Sequence, residues 1–190
     1  MKPGARALAV AESYRSATST LAGAVVRADR AAETFAFETC TVGGSDATDA
    51  IERLYERIGR ADIQYVLVAG IAPAWYNIVD CHALETATNC PVISVSFEES
   101  AGLDDALRAE FSGDALTRRL ATYHAQPDRR AVSVNDETVF VRAVGIGPDE
   151  AADVIRGFTP EGGRPEPLRV ARAAARAGAD FRQRLTDDGE

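Results

Sequence analysis

The chain has 190 residues, 46% of them hydrophobic and 26% charged, which is enough for one compact domain with a substantial core and short for two. No run of about 18 uncharged apolar residues occurs, and only Lys2 and Arg6 precede the first apolar stretch, so neither a membrane span nor a signal-type leader is expected and the protein reads as cytoplasmic. Twenty-nine acidic residues against 21 basic ones give a net charge of −8, which excludes the whole-molecule basic footprint of a general nucleic-acid binder.

Lys2 is the only lysine, so the basic residues are otherwise arginine, a composition shared by salt-adapted proteins and by proteins of GC-rich genomes. Six arginines lie between residues 164 and 184 against Glu166 and Asp180. The C-terminus is therefore a basic element on an acidic body. Cys40, Cys81 and Cys90 form no CxxC pair, and with only two histidines they make no zinc knuckle. They read as reduced thiols.

In chain order, Leu8 and Val10 alternate with small residues from Arg6 to Glu12, Leu21 to Ala28 is richly apolar, and an alternating run from Phe35 reaches Val42. Turn residues separate the three, which predicts an antiparallel meander. After Gly43-Gly44, Ser45 or Asp46 can cap a helix whose Ile51, Leu54, Tyr55 and Ile58 share one face, with Arg57 and Arg60 suiting its end. Tyr65 to Ala69 lacks polar alternation, as expected of a central strand covered on both faces. A helical segment near Asp80 to Thr88 leads to a strand at Val92 to Phe97, a right-handed βαβ unit. Helical spacing returns at Leu103, Leu107 and Phe111, then at Leu116 and Leu120. One more strand, Thr138 to Val144, and a helix from Pro148 to Phe158 precede a Pro-Gly-rich bend. The last helix starts near Pro167 and is expected to bury Leu168, Ala171, Ala175, Gly178, Phe181 and Leu185. The expected organisation is a single mixed α/β domain over residues 1–185, with a polar tail at 186–190. The meander followed by parallel strands suggests the ribonuclease H-like arrangement.

Several chemistries are absent. A phosphate-binding P-loop needs GxxxxGK followed by Ser or Thr, which is impossible with Lys2 the only lysine; no GxSxG elbow occurs, and Gly145-Ile146-Gly147 lacks the third glycine of a dinucleotide site. His82 beside Cys81 opens a short helix and reads as a partly exposed histidine without catalytic duty.

The segments Gly44-Ser45-Asp46-Ala47-Thr48-Asp49, Gly70-Ile71 with Tyr76-Asn77-Ile78-Val79-Asp80, and Pro165-Glu166-Pro167-Leu168-Arg169-Val170-Ala171 resemble an uncharacterised, largely archaeal, endonuclease V-like family. The likeness runs over nearly the whole chain. It implies a ribonuclease H-like fold and a magnesium-dependent endonuclease, whose DNA or RNA is cut by water activated on metal ions held by several carboxylates at adjoining strand ends. The family pattern places Gly-Ile-Asp-Asp where this chain has Ala9-Val10-Ala11-Glu12, Asp-Gly-Ile where it has Ala69-Gly70-Ile71, and commonly a histidine at Arg172. Two metal-binding acids are thus replaced, by Ala11 and Ala69, and weak or no nuclease activity is expected.

Glu12, Asp46 and Asp49 are the remaining candidates for catalysis, with Glu12 and Asp49 as the candidate ligands of Mg2+. Acids in a first helical turn are also favoured by capping and by the helix dipole. Trp75, Tyr76, Asn77 and Asp80 follow the fourth strand at the edge where α/β sheets place ligands, and the aromatics there can stack on a base or plug the core. Asp80 can also cap the helix that follows. Arg169, Arg172 and Arg176 share one helical face suited to an anionic partner. The alternative to nucleic acid is a scaffold or subunit whose arginine-rich helix binds an acidic protein. The sequence does not set the oligomeric state.

Overall fold

In the computed structural model, which describes residues 1–187, the chain opens with the expected meander: β1 (Arg6–Tyr14), β2 (Thr18–Arg27) and β3 (Ala32–Thr41) pair antiparallel in that order. Helix α1 (Ala47–Ile58) ends at Gly59, whose left-handed φ of 62° reverses the chain. Strand β4 (Tyr65–Ala69) then returns beside β1 and parallel to it, with Ala7 opposite Tyr65 and Val10 opposite Val68. A short turn, α2 (Pro73–Tyr76), and α3 (Cys81–Thr88) lead to β5 (Val92–Ser96), parallel to β4. Helices α4 (Asp104–Glu110) and α5 (Gly113–Ala125) precede a hairpin of β6 (Arg130–Val134) and β7 (Glu137–Val144), and β7 closes antiparallel on β5. Helices α6 (Pro148–Gly157) and α7 (Glu166–Asp187) complete the described chain. The sheet order is β3-β2-β1-β4-β5-β7-β6.

Strand alternation sorts the core into two layers. Leu8 and Val10 join Ile51, Leu54, Val68 and Leu84 on the face covered by α1 and α3. Ala7, Ala9 and Ala11 point the other way, toward Phe158, Leu168 and Ala171 of the α6–α7 layer. The methyl-sized side chains on that face let α7 lie close to β1 and β2, its own contribution being Ala171, Ala175 and Ala179. Gly23 serves the opposite face, where an added Cβ would stand 2.2 Å from Leu54 Cδ2.

Three expectations need correction. Strand β6 was not foreseen, although Val132 and Val134 alternate with polar neighbours and Asn135-Asp136 form a two-residue turn. Phe181 and Leu185 are 56% and 59% exposed instead of buried, because at this end of the 22-residue helix it is Ala179, Arg182 and Gln183 that face β1 and β2. Of the expected polar tail, Thr186 and Asp187 continue α7, and 188–190 lie outside the described residues. Cys40, Cys81 and Cys90 are buried free thiols, and burial pushes the Cys40 and Cys81 thiols up to about 12. No helix among the described residues is long and apolar enough to cross a membrane.

Candidate functional site

The carboxyl ends of β1, β4 and β5 point to one edge of the sheet. Because Val10 pairs with Val68 in a parallel register, Ala11 and Ala69 are the next neighbours, side by side on the face that α7 covers. Ala11 is 4% exposed. Glu12 alternates to the other face, and its Oε2 accepts a hydrogen bond of 2.6 Å from the buried hydroxyl of Ser19 on β2. Beyond Ala69 the chain turns at Gly70, whose φ of +78° favours glycine and whose N–H donates to Val95 O.

At this edge opens a cleft of about 570 Å³. Its walls bring together arginines that are far apart in sequence, Arg129, Arg142, Arg164 and Arg172, with Glu12 and Glu98 as the acids. The Arg164 guanidinium lies 3.9 Å from the centroid of the Phe97 ring, and Arg129 lies 4.1 Å from that of Phe140. Arg129 donates to the carbonyl oxygens of Ser100 and Glu98, and Arg142 to those of Pro127 and to the Tyr123 hydroxyl. Burial holds Arg164 below its ordinary pKa, with Arg172 and Arg176 repelling its proton further. Arg129 is lowered in the same way, by burial and then by Arg142. Among the described residues none of the four cleft arginines forms an ion pair with a carboxylate.

Asp46 lies elsewhere, in a polar knot under α1. It occupies the N-cap position of α1 without capping it with its side chain; the carboxylate instead accepts from Thr41 N at 3.1 Å, Thr41 Oγ1 at 2.9 Å and Asn77 Nδ2 at 2.7 Å. Burial alone would raise the Asp46 carboxyl, but these hydrogen bonds outweigh it and hold the group below its ordinary pKa. Asn77, fully buried, supplies the missing cap: its Oδ1 accepts from Ala47 N at 2.9 Å, while its Nδ2 also donates to Thr41 O. Asp80 caps α3 as expected, accepting from His82 N and Ala83 N. Asp49 lines a smaller cleft of about 240 Å³ with Asp80, Arg118 and Arg119. Glu12 and Asp49 are therefore not brought to one cleft.

Between knot and cleft lies a strained turn. Ala74, Trp75 and Tyr76 have φ of 48°, 60° and 57°, the left-handed region that costs an L-residue about 1–2 kcal/mol each. Gly43 N donates to Ala74 O at 2.7 Å, and the buried Arg119 side chain donates to Tyr76 O and Gly44 O while lying 3.8 Å over the Phe111 ring. Tyr76 meets Phe111 edge-on. The turn leaves Trp75 49% exposed, edge-on to Tyr76 at 5.5 Å.

The basic face of α7 divides. Arg169 forms a two-pronged ion pair with Glu166 at 2.7 Å, Arg172 lines the cleft, and Arg176 is exposed. Farther along, Arg182 donates to Thr20 Oγ1 and Asp180 pairs with Arg15. Arg129, Arg142 and Arg164 were not singled out from the sequence, since only folding brings the α5–β6 loop, β7 and the α6–α7 bend to the end of β5.

A meander feeding parallel strands, closed by an antiparallel strand and flanked by helices on both faces, defines the ribonuclease H-like fold of the endonuclease V type. A protein of unknown function from Archaeoglobus fulgidus superposes with a TM-score of 0.81 at 22% identity, over 91% of this chain and 97% of that one. The endonuclease V of Streptomyces avermitilis superposes with a TM-score of 0.68 at 17% identity, over 95% and 84% of the two chains. The endonuclease V of Ciona intestinalis, in complex with a DNA containing an inosine, gives a TM-score of 0.60 at 14% identity, over 93% and 86%.

The particular family follows from the sequence match. The endonuclease dU family model covers residues 3–178, and the chain belongs to that family. Among its relatives are the UPF0215 proteins of Pyrobaculum aerophilum, 33% identical over 94% of this chain and 96% of the relative, and of Pyrobaculum calidifontis, 32% identical over 88% and 93%.

Proposed function

We propose that this protein binds nucleic acid at the strand-end cleft, with deaminated DNA as its preferred form, and that it cleaves that DNA weakly or not at all. The observation that carries the reading is the cleft itself: an acidic chain gathers arginines without carboxylate partners at the carboxyl ends of its parallel strands, where α/β sheets receive ligands. The exposed Trp75, two residues beyond the cleft-lining Pro73, offers a face on which a base can stack. The choice of deaminated DNA follows the family's name and the inosine-containing DNA bound by the Ciona neighbour.

The residues do not fit a pair of magnesium ions. Such ions need several oxygen ligands converging at the strand ends, whereas positions 11 and 69 offer two methyl groups and the surroundings are cationic. Glu12 is engaged with Ser19, and no group of three His, Cys, Asp or Glu able to hold a metal occurs among the described residues. Docking of an acidic protein on α7 has less support, since Arg169 and Arg182 already have partners within the chain.

The test measures binding of fluorescent deoxyuridine- and inosine-containing oligonucleotides against unmodified ones, with cleavage assayed in Mg2+ and Mn2+. Binding with at most trace cleavage is expected, together with a gain of metal-dependent cleavage in the variant Ala11→Asp with Ala69→Asp. Robust cleavage by the parent chain would overturn the reading.

A further inference from the structure

Resting on the nucleic-acid reading and carrying it to named atoms, we infer that Arg164 and Arg172 form a phosphoryl-binding site that grips the ligand directly, without a divalent metal. The fold's usual strand-end chemistry, carboxylates joined to phosphate through metal, is here inverted in charge.

Three observations meet at these two side chains. Both line the cleft, yet among the described residues neither donates a hydrogen bond or forms an ion pair. The Arg164 guanidinium carbon lies 3.9 Å from the centroid of the Phe97 ring, and Phe97 itself packs on the α6–α7 core layer. With the ring beneath it and no hydrogen bond from its N–H groups among the described residues, this guanidinium has donors left to pair two-pronged with phosphate oxygens. Third, like charges are held together without a counter-ion. Arg172 and Arg176 stand close enough to depress the Arg164 pKa. Several arginines elsewhere do have carboxylate partners: Arg6 and Arg60 with Glu33 and Asp62, Arg57 with Glu38, Arg169 with Glu166.

If the basic cluster merely offset the acidic body, acids would be expected beside it. Glu12 and Glu98 are the acids of the cleft, against four arginines. In the same cleft Arg129 Nε is buried without a partner, over the Phe140 ring. The surplus suits a phosphoryl group, which carries up to two negative charges near neutral pH when terminal and one when internal. A phosphate at a strand end and a phosphodiester within the strand share this chemistry.

Calorimetric titration in EDTA, with inorganic phosphate, deoxyuridine monophosphate and deoxyuridine as probes, tests the site apart from the nucleic-acid reading. The monophosphate should bind at least about tenfold more tightly than the nucleoside. The variant Arg164→Gln with Arg172→Gln should lose about tenfold or more of that affinity, and Arg164→Lys with Arg172→Lys should lose less, because charge remains while the fork is gone. Arg169→Gln should change nothing. Duplexes with and without a 5′-phosphate identify the source: preference for the phosphorylated end points to a terminal phosphate, equal binding to the backbone. Monophosphate binding that vanishes in EDTA, that survives the double glutamine variant in a folded protein, or that is absent from the parent overturns the site. If the monophosphate binds as described while no oligonucleotide does, the site stands and the nucleic-acid reading falls. Oligonucleotide binding indifferent to both double variants leaves that reading in place and removes this one.

Discussion

Two polar clusters sit a few residues apart at the same end of the molecule and are built on opposite plans. In the knot of Asp46, Asn77 and Arg119, every partner is supplied by the chain: Asn77 engages a backbone N–H, a backbone C=O and a carboxylate, and Arg119 the carbonyls of Tyr76 and Gly44. In the strand-end cleft, Arg164 and Arg172 crowd one another and find no partner among the described residues. The contrast separates polar residues that hold a fold together from those that await a ligand. A buried polar group left unsatisfied costs about 1–3 kcal/mol, so a chain satisfies those it needs for folding. Partly exposed cations can stay open at little cost, because water solvates them until an anion arrives.

The comparison can be broken most severely at the two alanines between the clusters. Placing carboxylates at 11 and 69 puts two like charges side by side against the α6–α7 core layer, and Ala11→Asp with Ala69→Asp should lower stability by about 3 kcal/mol or more in EDTA. Thermal unfolding with and without Mg2+ measures it, and part of the loss should be recovered as metal binds. An undiminished melting temperature in EDTA would mean that the strand ends are wetter than their packing implies.

Next in size is the knot. Asn77→Ala orphans Ala47 N–H and Thr41 C=O and removes a donor from Asp46, so a loss of about 2–4 kcal/mol is expected in denaturant unfolding. Its effect on oligonucleotide binding should follow stability alone. The cleft should behave in the opposite sense: Arg164→Gln with Arg172→Gln removes repulsion and no chain contact beyond the Phe97 stack, leaving stability within about 0.5 kcal/mol while binding drops. A large stability loss there would place these arginines with the knot.

The smallest effect concerns acid. The Asp46 pKa is lower in the folded chain than its ordinary value of 3.8, so its contribution is fully present above that value and disappears as pH falls through the lower folded pKa. Asp46→Asn should therefore flatten the stability profile below about pH 4 relative to the parent, read by thermal unfolding across pH. An unchanged acid limb would show that the hydrogen bonds from Thr41 and Asn77 persist in the unfolded chain.

Much of the architecture was legible because patterning alone encodes it. Leu8 and Val10 alternating with alanines announced a strand with two different faces, and the unbroken apolar run at Tyr65 to Ala69 announced a strand covered on both sides. The site was legible only in its losses. Ala11 and Ala69 stood out against the family pattern, and the register places them side by side. The hairpin partner β6 is not legible because its outward residues are weak strand formers, and the exposure of Phe181 and Leu185 depends on which side chains of α7 meet the β1–β2 ends, which helical periodicity does not report.

By itself, then, the amino-acid order determined most of the helices and strands, β6 excepted, and which face of the early strands and of α1 is apolar. These follow from local periodicity and residue chemistry, which need no knowledge of distant segments. Tertiary structure alone decided that Asn77 caps a helix thirty residues away in sequence, that three consecutive residues at Ala74 to Tyr76 are forced left-handed, and that arginines from four separate segments meet at one strand end. Those outcomes arise from long-range packing that over-determines the backbone and sets like charges together, and no local preference of the residues involved favours them.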